Sequence, residues 1–486
     1  MQTHHHAGRD DNACPACCRC GAPATQRAFA RIEADLSRRE MLGGAAAVMA
    51  MFAGFGLAAP ADARTGPSTQ PLLLTNFRLF DGRVARLRDD VDVLVEGRRI
   101  AALPTRGQDP GDAERIDCAG RTLMPGLIDA HWHATLAAAP ELVVLTEDFA
   151  YVHLLAAREA AATLERGFTT VRDTGGPAFA LKRAIDHGVV AGPRLFPSGA
   201  MISQTSGHGD FRFPNQLPHV AGEPLDHVQR VGVSALADGV DAVLLRVREQ
   251  LMKGASQIKM MAGGGVSSFF DPIDSIQYLE EELTAGVRAA ADWGTYVCVH
   301  VYVPGGMRSA IRAGVRCIEH GQLADEETVR LMAGEGVWWS LQPFLADEDA
   351  NPKPDPAQRA QQERIAAGTL QAYEWAQKHG VRTAFGTDIL LNPKGPVTQG
   401  RQLAKLARFM DPLAALKTAT GDAGELLALS GNRAPYDGPL GVVAPGALAD
   451  LLVVDGNLET DLAALADPAA NLKLIMKDGR VHKRQL

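Results

Sequence analysis

The sequence predicts an α/β protein, a (β/α)₈ (TIM) barrel with a small β-sandwich domain that both chain ends build together. The middle of the chain alternates apolar runs with helical stretches, whereas both ends carry short strands and turns. A length of 486 residues accommodates one large barrel and a small domain. Hydrophobic residues make up 46% of the chain and charged residues 22%, which excludes a disordered or collagen-like protein.

Residues 1–63 are predicted to be an export leader. Arg38 and Arg39 precede an apolar run over residues 43–59 that is rich in Gly and Ala, and Ala61-Asp62-Ala63 has the small residues of a cleavage site. This order resembles a twin-arginine signal and predicts a periplasmic or secreted protein. The run is too short and Gly-rich for a membrane span, so no stable span is expected after signal removal. An uncleaved anchor or a chance match is the alternative.

The seven cysteines do not predict a disulfide framework. Cys118, Cys298 and Cys317 are widely separated in the chain after the leader. The other four lie in the leader, close to three histidines, in the order His4, His5, His6, Cys14, Cys17, Cys18 and Cys20. They could bind a metal or be redox-active, but their spacing is not a standard zinc pattern. Loss with the leader on export is the alternative.

The two chain ends are predicted to form the β-sandwich, from residues 64–123 and 437–486. The segment 91–100 alternates apolar and polar residues and turns at Glu96-Gly97. Near the C-terminus, Asp478-Gly479 joins two strand-like runs, and this dipeptide is a strong hairpin signal. The barrel is predicted between these ends, over residues 124–436.

Eight apolar runs divide the predicted barrel into repeating units. They are Leu123–Ala130, Thr169–Asp173, Arg194–Ala200, Gln257–Met261, Thr295–His300, Cys317–His320, Val337–Gln342 and Arg382–Gly386. Helices are predicted between several of them, including Ala150–Glu165 and Glu281–Trp293. Eight strand–helix units in about 300 residues favour a (β/α)₈ barrel. A doubly wound open sheet would give a similar pattern and is the alternative.

Metal-ligand residues stand at or near the ends of these runs, where barrel enzymes place their chemistry. They are His131, His133, Lys259, His300, His320 and Asp388. A spacing of two puts His131 and His133 on one face of a strand. Neutral imidazoles and a carboxylate are ligands that suit Zn²⁺. Four histidines and one aspartate are one ligand short of two sites, and a lysine that has added CO₂ could bridge two ions.

These motifs in this order resemble the amidohydrolase superfamily in its binuclear form, over about residues 71–486. The segments Ile258-Lys-Met-Met-Ala-Gly-Gly-Gly-Val, Cys317-Ile-Glu-His-Gly and Gly386-Thr-Asp are similar to the metal-dependent dipeptidase branch. That branch includes prolidase-like carboxypeptidases and ochratoxin-hydrolysing amidases. The flanking β segments resemble the small β-sandwich of the same family.

The resemblance implies two Zn²⁺ ions per chain, bridged by N6-carboxylated Lys259. His131 and His133 would bind the more buried ion, and His300 and His320 the more exposed one. Asp388 would ligate the first ion and act as general base. The implied reaction is hydrolysis of a C–N amide bond by metal-activated hydroxide. The substrate would be a small N-acyl amino acid or dipeptide, with ochratoxin A as a candidate.

Further residues have candidate roles beside the metal ligands. His208 lies in a Gly-flanked loop and either donates to the developing oxyanion, binds a substrate carboxylate, or is a plain loop histidine. Tyr302 should face the same way as His300 and contact the substrate, although many relatives carry His there. Arg172 and Asp173 are predicted to form a structural ion pair. No Lys-Ser or Lys-Thr follows the Gly263–Gly265 run, which excludes a P-loop.

Charge and resemblance also predict the partners. A net charge of −8 gives no basic footprint for nucleic acid, so a small-molecule substrate is expected. The resemblance implies a homo-oligomer. Two other functions stay open. One is a cyclic amide or imidazolone hydrolase, whose relatives usually have one metal and lack the bridging lysine. The other is a catalytically inactive barrel used for assembly.

Overall fold

The computed structural model describes residues 70–108, 111–213, 215–218, 224–267, 270–350, 353 and 355–486. The predicted export leader and its cysteines and histidines lie outside these residues. Within the described residues, no helix is both long and apolar enough to cross a membrane.

The N-terminal part consists of short strands joined by turns. The strands are β1 (Leu72–Thr75), β2 (Arg78–Phe80), β3 (Leu87–Arg88), β4 (Val93–Glu96), β5 (Arg99–Ala102), β6 (Glu114–Asp117) and β7 (Thr122–Pro125). The predicted turn at Glu96-Gly97 falls between β4 and β5, which pair antiparallel. These strands belong to two sheets. One sheet has the order β5-β4-β1-β6, and β7, β2 and β3 form the edge of the other.

The middle of the chain is a succession of parallel strands, which we call the parallel region (residues 127–428). The strands are β8 (Leu127–Trp132), β9 (Phe168–Asp173), β10 (Arg194–Pro197), β11 (Met201–Ser203), β12 (Ser234–Leu236), β13 (Ile258–Met261), β14 (Val297–Val301), β15 (Cys317–His320), β16 (Trp338–Leu341) and β17 (Thr383–Phe385). They form two parallel sheets, in the orders β10-β9-β8 and β12-β11-β13-β14-β15-β16-β17. The chain is therefore an α/β protein with parallel sheets.

Helices connect these strands. They are α1 (Glu141–Thr146), α2 (Phe149–Glu165), α3 (Phe179–Asp186), α4 (His227–Val231), α5 (Val240–Lys253), α6 (Glu280–Asp292), α7 (Pro304–Arg312), α8 (Glu326–Glu335), α9 (Pro356–His379), α10 (Gln399–Ala404), α11 (Pro412–Thr418) and α12 (Gly421–Ala428). Several begin at an aspartate whose side chain accepts a backbone N–H of the first turn, as Asp325 does for α8 and Asp355 for α9. Glycines in the left-handed conformation end the same two helices, at Gly336 and Gly380.

The C-terminal strands complete the sheet begun at the other chain end. After β18 (Leu451–Val454), α13 (Pro468–Asn471) leads into β19 (Leu472–Lys477) and β20 (Arg480–Arg484). The strand order β20-β19-β18-β7-β2-β3 joins both ends of the chain in one sheet. Asp478 and Gly479 form the predicted hairpin, with φ of +59° and +70° that fit a type I′ turn. We call this sheet and β5-β4-β1-β6 the end sheets; they share an apolar core that includes Phe77, Val93 and Val453.

Two predicted runs differ from the structure in the same way. The run predicted over Leu123–Ala130 is two strands, because β7 pairs with β18 in the end sheets while β8 pairs with β9 in the parallel region. The run over Arg194–Ala200 ends at Pro197, and a separate strand β11 follows in the other parallel sheet. Continuous apolar sequence does not reveal where a chain passes from one sheet to the next.

Candidate active site

The sequence-predicted site residues come together at the carboxyl ends of the parallel strands. There they line one small cavity of about 50 Å³, which we call the site cavity. Its polar lining residues are His131, His133, His208, Lys259, His300, Tyr302, His320 and Asp388, with Ser267. All eight predicted site residues are thus neighbours, although they are spread over 258 positions of the chain (131 to 388).

Asp388 lies at the centre of the histidine cluster. Its Oδ1 is 3.0 Å from His131 Nε2 and 3.2 Å from His133 Nε2. Both distances are close to the roughly 3.3 Å between two ligands of one tetrahedral zinc ion with bonds of about 2.0 Å. Ligand atoms of His131, His320 and Asp388 all lie within 4.8 Å of one another. These residues therefore form a metal-binding site.

Each of the four predicted histidine ligands has one ring nitrogen next to an acceptor. The contacts are His131 Nδ1 to Glu319 Oε2 at 2.7 Å, His133 Nδ1 to Gly175 O at 3.0 Å, His300 Nε2 to Gly264 O at 3.2 Å and His320 Nδ1 to Gln342 Oε1 at 2.9 Å. An N–H that donates to such an acceptor fixes the tautomer and orients the ring. The opposite nitrogen then carries the lone pair that a metal requires.

Burial and the neighbouring side chains together set the charge states of His300, His320 and Asp388. Burial, with the nearby His208, His320 and Lys259, holds the pKa of His300 well below its ordinary value. Burial likewise holds the pKa of His320 well below that value, against the opposing field of Asp388. For Asp388, burial acts to raise the pKa, but the imidazoles of His131 and His320 hold it well below its usual range. Neutral imidazoles and an ionised carboxylate are the forms that bind metal.

Two residues of the site, one at the end of β15 and one in the loop after β17, have unusual backbone conformations. His320 has φ of +69° and Asp388 has φ of +53°. Left-handed backbone at a residue other than glycine costs about 1–3 kcal/mol and clusters at functional sites. The Asp388 N–H donates to His131 O at 2.8 Å, which holds the loop after β17 against β8. Gly386 permits this approach, because a Cβ there would lie 2.5 Å from the Cβ of His131.

His208 and Tyr302 line the site cavity beside His300. The His208 ring stacks on the His300 ring, with centroids 3.9 Å apart and an interplanar angle of 13°. His208 Nδ1 is 3.0 Å from Asp271 Oδ2, which fixes the ring in this position. Tyr302 stacks on His320 at 5.1 Å, and burial raises the pKa of its phenol well above the ordinary value. The phenol is therefore a neutral hydrogen-bonding group.

The predicted ion pair between Arg172 and Asp173 is wrong. Arg172 Nη2 lies 2.6 Å from Glu319 Oε1, while Asp173 accepts the Ala134 N–H at 2.8 Å. Neighbours on a strand point to opposite faces, so these two side chains diverge. Glu319 continues the contact to His131 Nδ1. The chain Arg172–Glu319–His131 is thus fully buried and ends on a predicted metal ligand.

Sequence reasoning missed two supporting carboxylates. Glu319 precedes His320 in Cys317-Ile-Glu-His-Gly, and a charged residue inside an apolar strand was the available signal. Asp129 is buried and accepts the Thr387 hydroxyl at 2.7 Å and the Gln399 amide at 2.9 Å. Asp129 therefore ties β8 to the residue before Asp388. Its position two residues before His131 gave the corresponding signal.

A larger cavity of about 150 Å³ adjoins the site cavity, and we call it the adjoining cavity. Val266, Ser267, Tyr302, Asp388 and Leu390 line both. Phe344 and Ile365 give it an apolar wall, and charged side chains line its other part. A substrate in the adjoining cavity would reach the metal cluster at Asp388.

This chain resembles one known protein family and several individual proteins. The profile of the Amidohydrolase family matches residues 122–482. The chain belongs to the amidohydrolase family. An ochratoxinase from Aspergillus niger is 33% identical over 383 residues, which are 74% of this chain and 75% of the relative. This amidohydrolase also resembles two relatives of solved structure, which extend the comparison to most of the fold.

The first is a prolidase complexed with N-methylphosphonate-L-proline, 35% identical, with a TM-score of 0.78 over 86% of this chain and 100% of that one. The second is a Xaa-Pro dipeptidase with bound methionine, 29% identical, with a TM-score of 0.73 over 85% of this chain and 100% of that one. The amidohydrolase therefore lies in the branch of dipeptidases and ochratoxinase. It is a hydrolytic enzyme that acts on amide bonds, in a family that is generally metal-dependent.

Proposed function

We propose that this amidohydrolase is a binuclear zinc enzyme that cleaves C–N amide bonds in small N-acyl amino acids or dipeptides. One observation carries the proposal, the collection of four histidines, Lys259 and Asp388 around one cavity at the carboxyl ends of parallel strands. Imidazoles and carboxylates suit zinc. Ochratoxin A is a candidate substrate, because an ochratoxinase is among the relatives.

The donor set fits two ions if Lys259 is carboxylated. His131, His133 and Asp388 would hold one ion, His300 and His320 the other, and the Lys259 carboxylate would bridge them. Lys259 supports this, since its side chain is buried and no described carboxylate lies within ion-pair distance of it. A bare ammonium in such a place is costly. When bound, the ions activate water at neutral pH and polarise the scissile carbonyl.

The chain's own residues then handle protons and orientation. Asp388 accepts a proton from the attacking water, and its lowered pKa keeps it in the ionised form that can do so. The same carboxyl returns the proton to the leaving nitrogen. His208, held by Asp271 and stacked on His300, stabilises the developing oxyanion. Tyr302 contacts the substrate where the two cavities meet.

The proposal includes a closed (β/α)₈ barrel with a β-sandwich. Its support is the near-sequential strand order, which a doubly wound sheet would reverse at a switch point. Contacts also join the two parallel sheets, since the Thr387 hydroxyl, two residues after β17, donates to Asp129 on β8. Gln257 Nε2, one residue before β13, donates to Phe196 O on β10 at 2.8 Å. The proposed boundaries stay at residues 124–436 for the barrel. Export through the twin-arginine pathway and a homo-oligomeric state are also part of the proposal.

The test combines metal analysis with a substrate screen on the full chain. We expect about two zinc ions per chain by elemental analysis and hydrolysis of members of a panel of N-acyl amino acids, Xaa-Pro dipeptides and ochratoxin A. One ion per chain with activity on a cyclic amide would favour the imidazolone-type alternative. An inactive, metal-free protein after reconstitution with zinc and bicarbonate would overturn the proposal.

A further inference from the structure

The adjoining cavity has a charged wall whose residues are mostly paired with one another. Lys405 Nζ lies 2.7 Å from Asp347 Oδ1 and 2.7 Å from Asp349 Oδ2. Arg401 makes a two-nitrogen contact to Asp349, and Arg408 lies 3.5 Å from Asp347. The two aspartates of this wall are therefore neutralised by the protein itself.

Lys353 is different from Lys405. It lines the same cavity and is partly buried, yet no carboxylate of the described residues lies within ion-pair distance of its ammonium. Its backbone is held on the wall, because its N–H donates to Gln362 Oε1 at 3.2 Å and its carbonyl accepts from Arg359 Nε at 3.0 Å. Both partners are on α9. Among the described residues, Lys353 is thus a cation without a carboxylate partner at a fixed place on the cavity wall.

A partly buried ammonium without a counter-charge is an unfavourable arrangement unless a ligand completes it. Burial lowers the pKa of Lys353, while the more distant carboxylates Glu141 and Asp388 act to raise it. An anion in the adjoining cavity would restore the balance. Asp388 lines the same cavity and belongs to the metal cluster. An anion at Lys353 would therefore be part of the same molecule as the amide bond that is cleaved at Asp388.

We propose that Lys353 binds the free carboxylate of the substrate and makes it a specificity determinant of this enzyme. This inference rests on the proposed function and deepens it. The scissile amide would lie at Asp388, the carboxylate at Lys353, and the side chain of the C-terminal amino acid against Phe344 and Ile365. The enzyme would then prefer acids with an apolar side chain over the corresponding amides, which lack the charge.

The experiment compares N-acetyl-L-phenylalanine with N-acetyl-L-phenylalaninamide, which differ only at the carboxylate. In the zinc-loaded enzyme, Lys353→Met should raise KM for the acid by about 10- to 100-fold, the range for a charged hydrogen bond. The kcat for the acid and the kcat/KM for the amide should change by less than about threefold. Lys353→Arg, which keeps the charge, should retain most of the preference for the acid.

Two further variants serve as controls for Lys353→Met. Lys394→Met removes an exposed charge from the loop after β17 and should leave the preference for the acid unchanged. Glu141→Gln removes the carboxylate whose field acts on Lys353, and it too should retain the preference. If Glu141→Gln raised the KM for the acid as much as Lys353→Met does, the two residues would form a structural pair and the inference would be wrong.

Failure of the inference and failure of the proposed function give different results. If the wild type hydrolyses neither probe, calorimetry of both probes on the zinc-loaded protein still tests Lys353. Tighter binding of the acid that Lys353→Met abolishes would support the inference, even if the proposed substrate class is wrong. Equal binding of acid and amide by the wild type, or equal loss of both in the variant, would overturn it.

Discussion

Two buried arginines on neighbouring strands of the parallel region are used for different purposes. Arg172 on β9 lies 2.6 Å from Glu319, whose other oxygen contacts the metal-ligand candidate His131. Arg194 on β10 lies 3.0 Å from Asp450 and 2.6 Å from Asp478, both at the ends of strands in the end sheets. The first contact leads into the active site. The second joins the parallel region to the end sheets, and we call it the junction.

Burial alone therefore does not show whether an ion pair supports the active site or joins two parts of the fold. Both arginines are almost completely inaccessible, and for both, burial acts to lower the pKa while the carboxylates raise it above its ordinary value. Such pairs add little net stability compared with apolar packing, but removing one partner is strongly destabilising. What distinguishes them is the next residue in each network. Mutations in the two networks should therefore have separable effects.

The largest difference in effect is expected between substitutions of two aspartates, Asp388 at the site and Asp450 at the junction. Asp388→Asn removes the proposed general base and a metal ligand, so kcat/KM should fall by about 10²- to 10⁴-fold. Asp450→Asn, at the junction, should change kcat/KM by less than about threefold. Steady-state kinetics on zinc-loaded proteins at 25 °C measure both.

Circular dichroism shows whether each aspartate variant is folded before the rates are compared. Asp388→Asn should retain the wild-type spectrum, because the amide keeps the shape of the side chain. A folded Asp388→Asn enzyme with near wild-type kcat/KM would remove Asp388 from the chemistry. A large loss of kcat/KM in folded Asp450→Asn would show that the junction affects the active site. The predicted difference between the two aspartates would then be wrong.

The candidate metal ligands could be predicted from the sequence because each stands at or near the end of a strand. His131, His133 and His300 needed only the position of an apolar run and the rule that barrel enzymes place chemistry at carboxyl ends. Asp388 needed the same rule, although it lies three residues beyond β17 and reaches the cluster through its left-handed backbone.

The supporting contacts could not be predicted in the same way. The partners of Arg172 and Arg194 are 147 and 256 positions away along the chain. Only the three-dimensional packing of strands selects Glu319 over the adjacent Asp173. Lys353 has no strand context at all, so sequence periodicity gave no reason to place it on a cavity wall. The division of the first apolar run into β7 and β8 could not be predicted for the same reason, because it depends on pairing between strands that are distant in the sequence.

The second prediction concerns the junction alone. Arg194→Met leaves Asp450 buried without its arginine partner, so the free energy of unfolding should fall by about 3–5 kcal/mol. Urea titration followed by tryptophan fluorescence measures the change. At urea concentrations below the unfolding transition, the kcat/KM of Arg194→Met should stay within about twofold of the wild-type value.

Arg78→Met is the matched control for Arg194→Met, because Arg78 on β2 of the end sheets pairs with Glu459 in the loop after β18, and both side chains are more than a third exposed. It should cost less than about 1 kcal/mol. If the two variants were equally stable, burial would not be the reason for the strength of the Arg194 contact.

The third prediction concerns the contact between Glu319 and His131. Glu319→Gln keeps the shape of the side chain but weakens the acceptor at His131 Nδ1, so zinc affinity should fall by about 10- to 100-fold. Competition with a chromophoric chelator measures the affinity. Glu326→Gln, on the surface of α8, should leave it unchanged. Folded Glu319→Gln protein with wild-type zinc affinity would make the Arg172 network purely structural.

The smallest effect concerns His482 on β20, whose environment includes Asp450 and Asp478 of the junction. Burial, with the charges of Lys477 and Arg480, lowers the pKa of His482 from 6.5 to about 4. Between pH 6.5 and 4, the unfolded chain binds a proton at this histidine that the folded chain does not, so the free energy of unfolding falls as pH falls. His482→Gln should remove part of that fall and leave Tm at pH 8 almost unchanged. Thermal melting of both proteins at pH 8 and pH 5 measures the difference, and parallel Tm losses would show that His482 is protonated equally in both states. Since His482 belongs to the surroundings of the junction, the catalytic pH profile of the folded enzyme should be the same in both proteins.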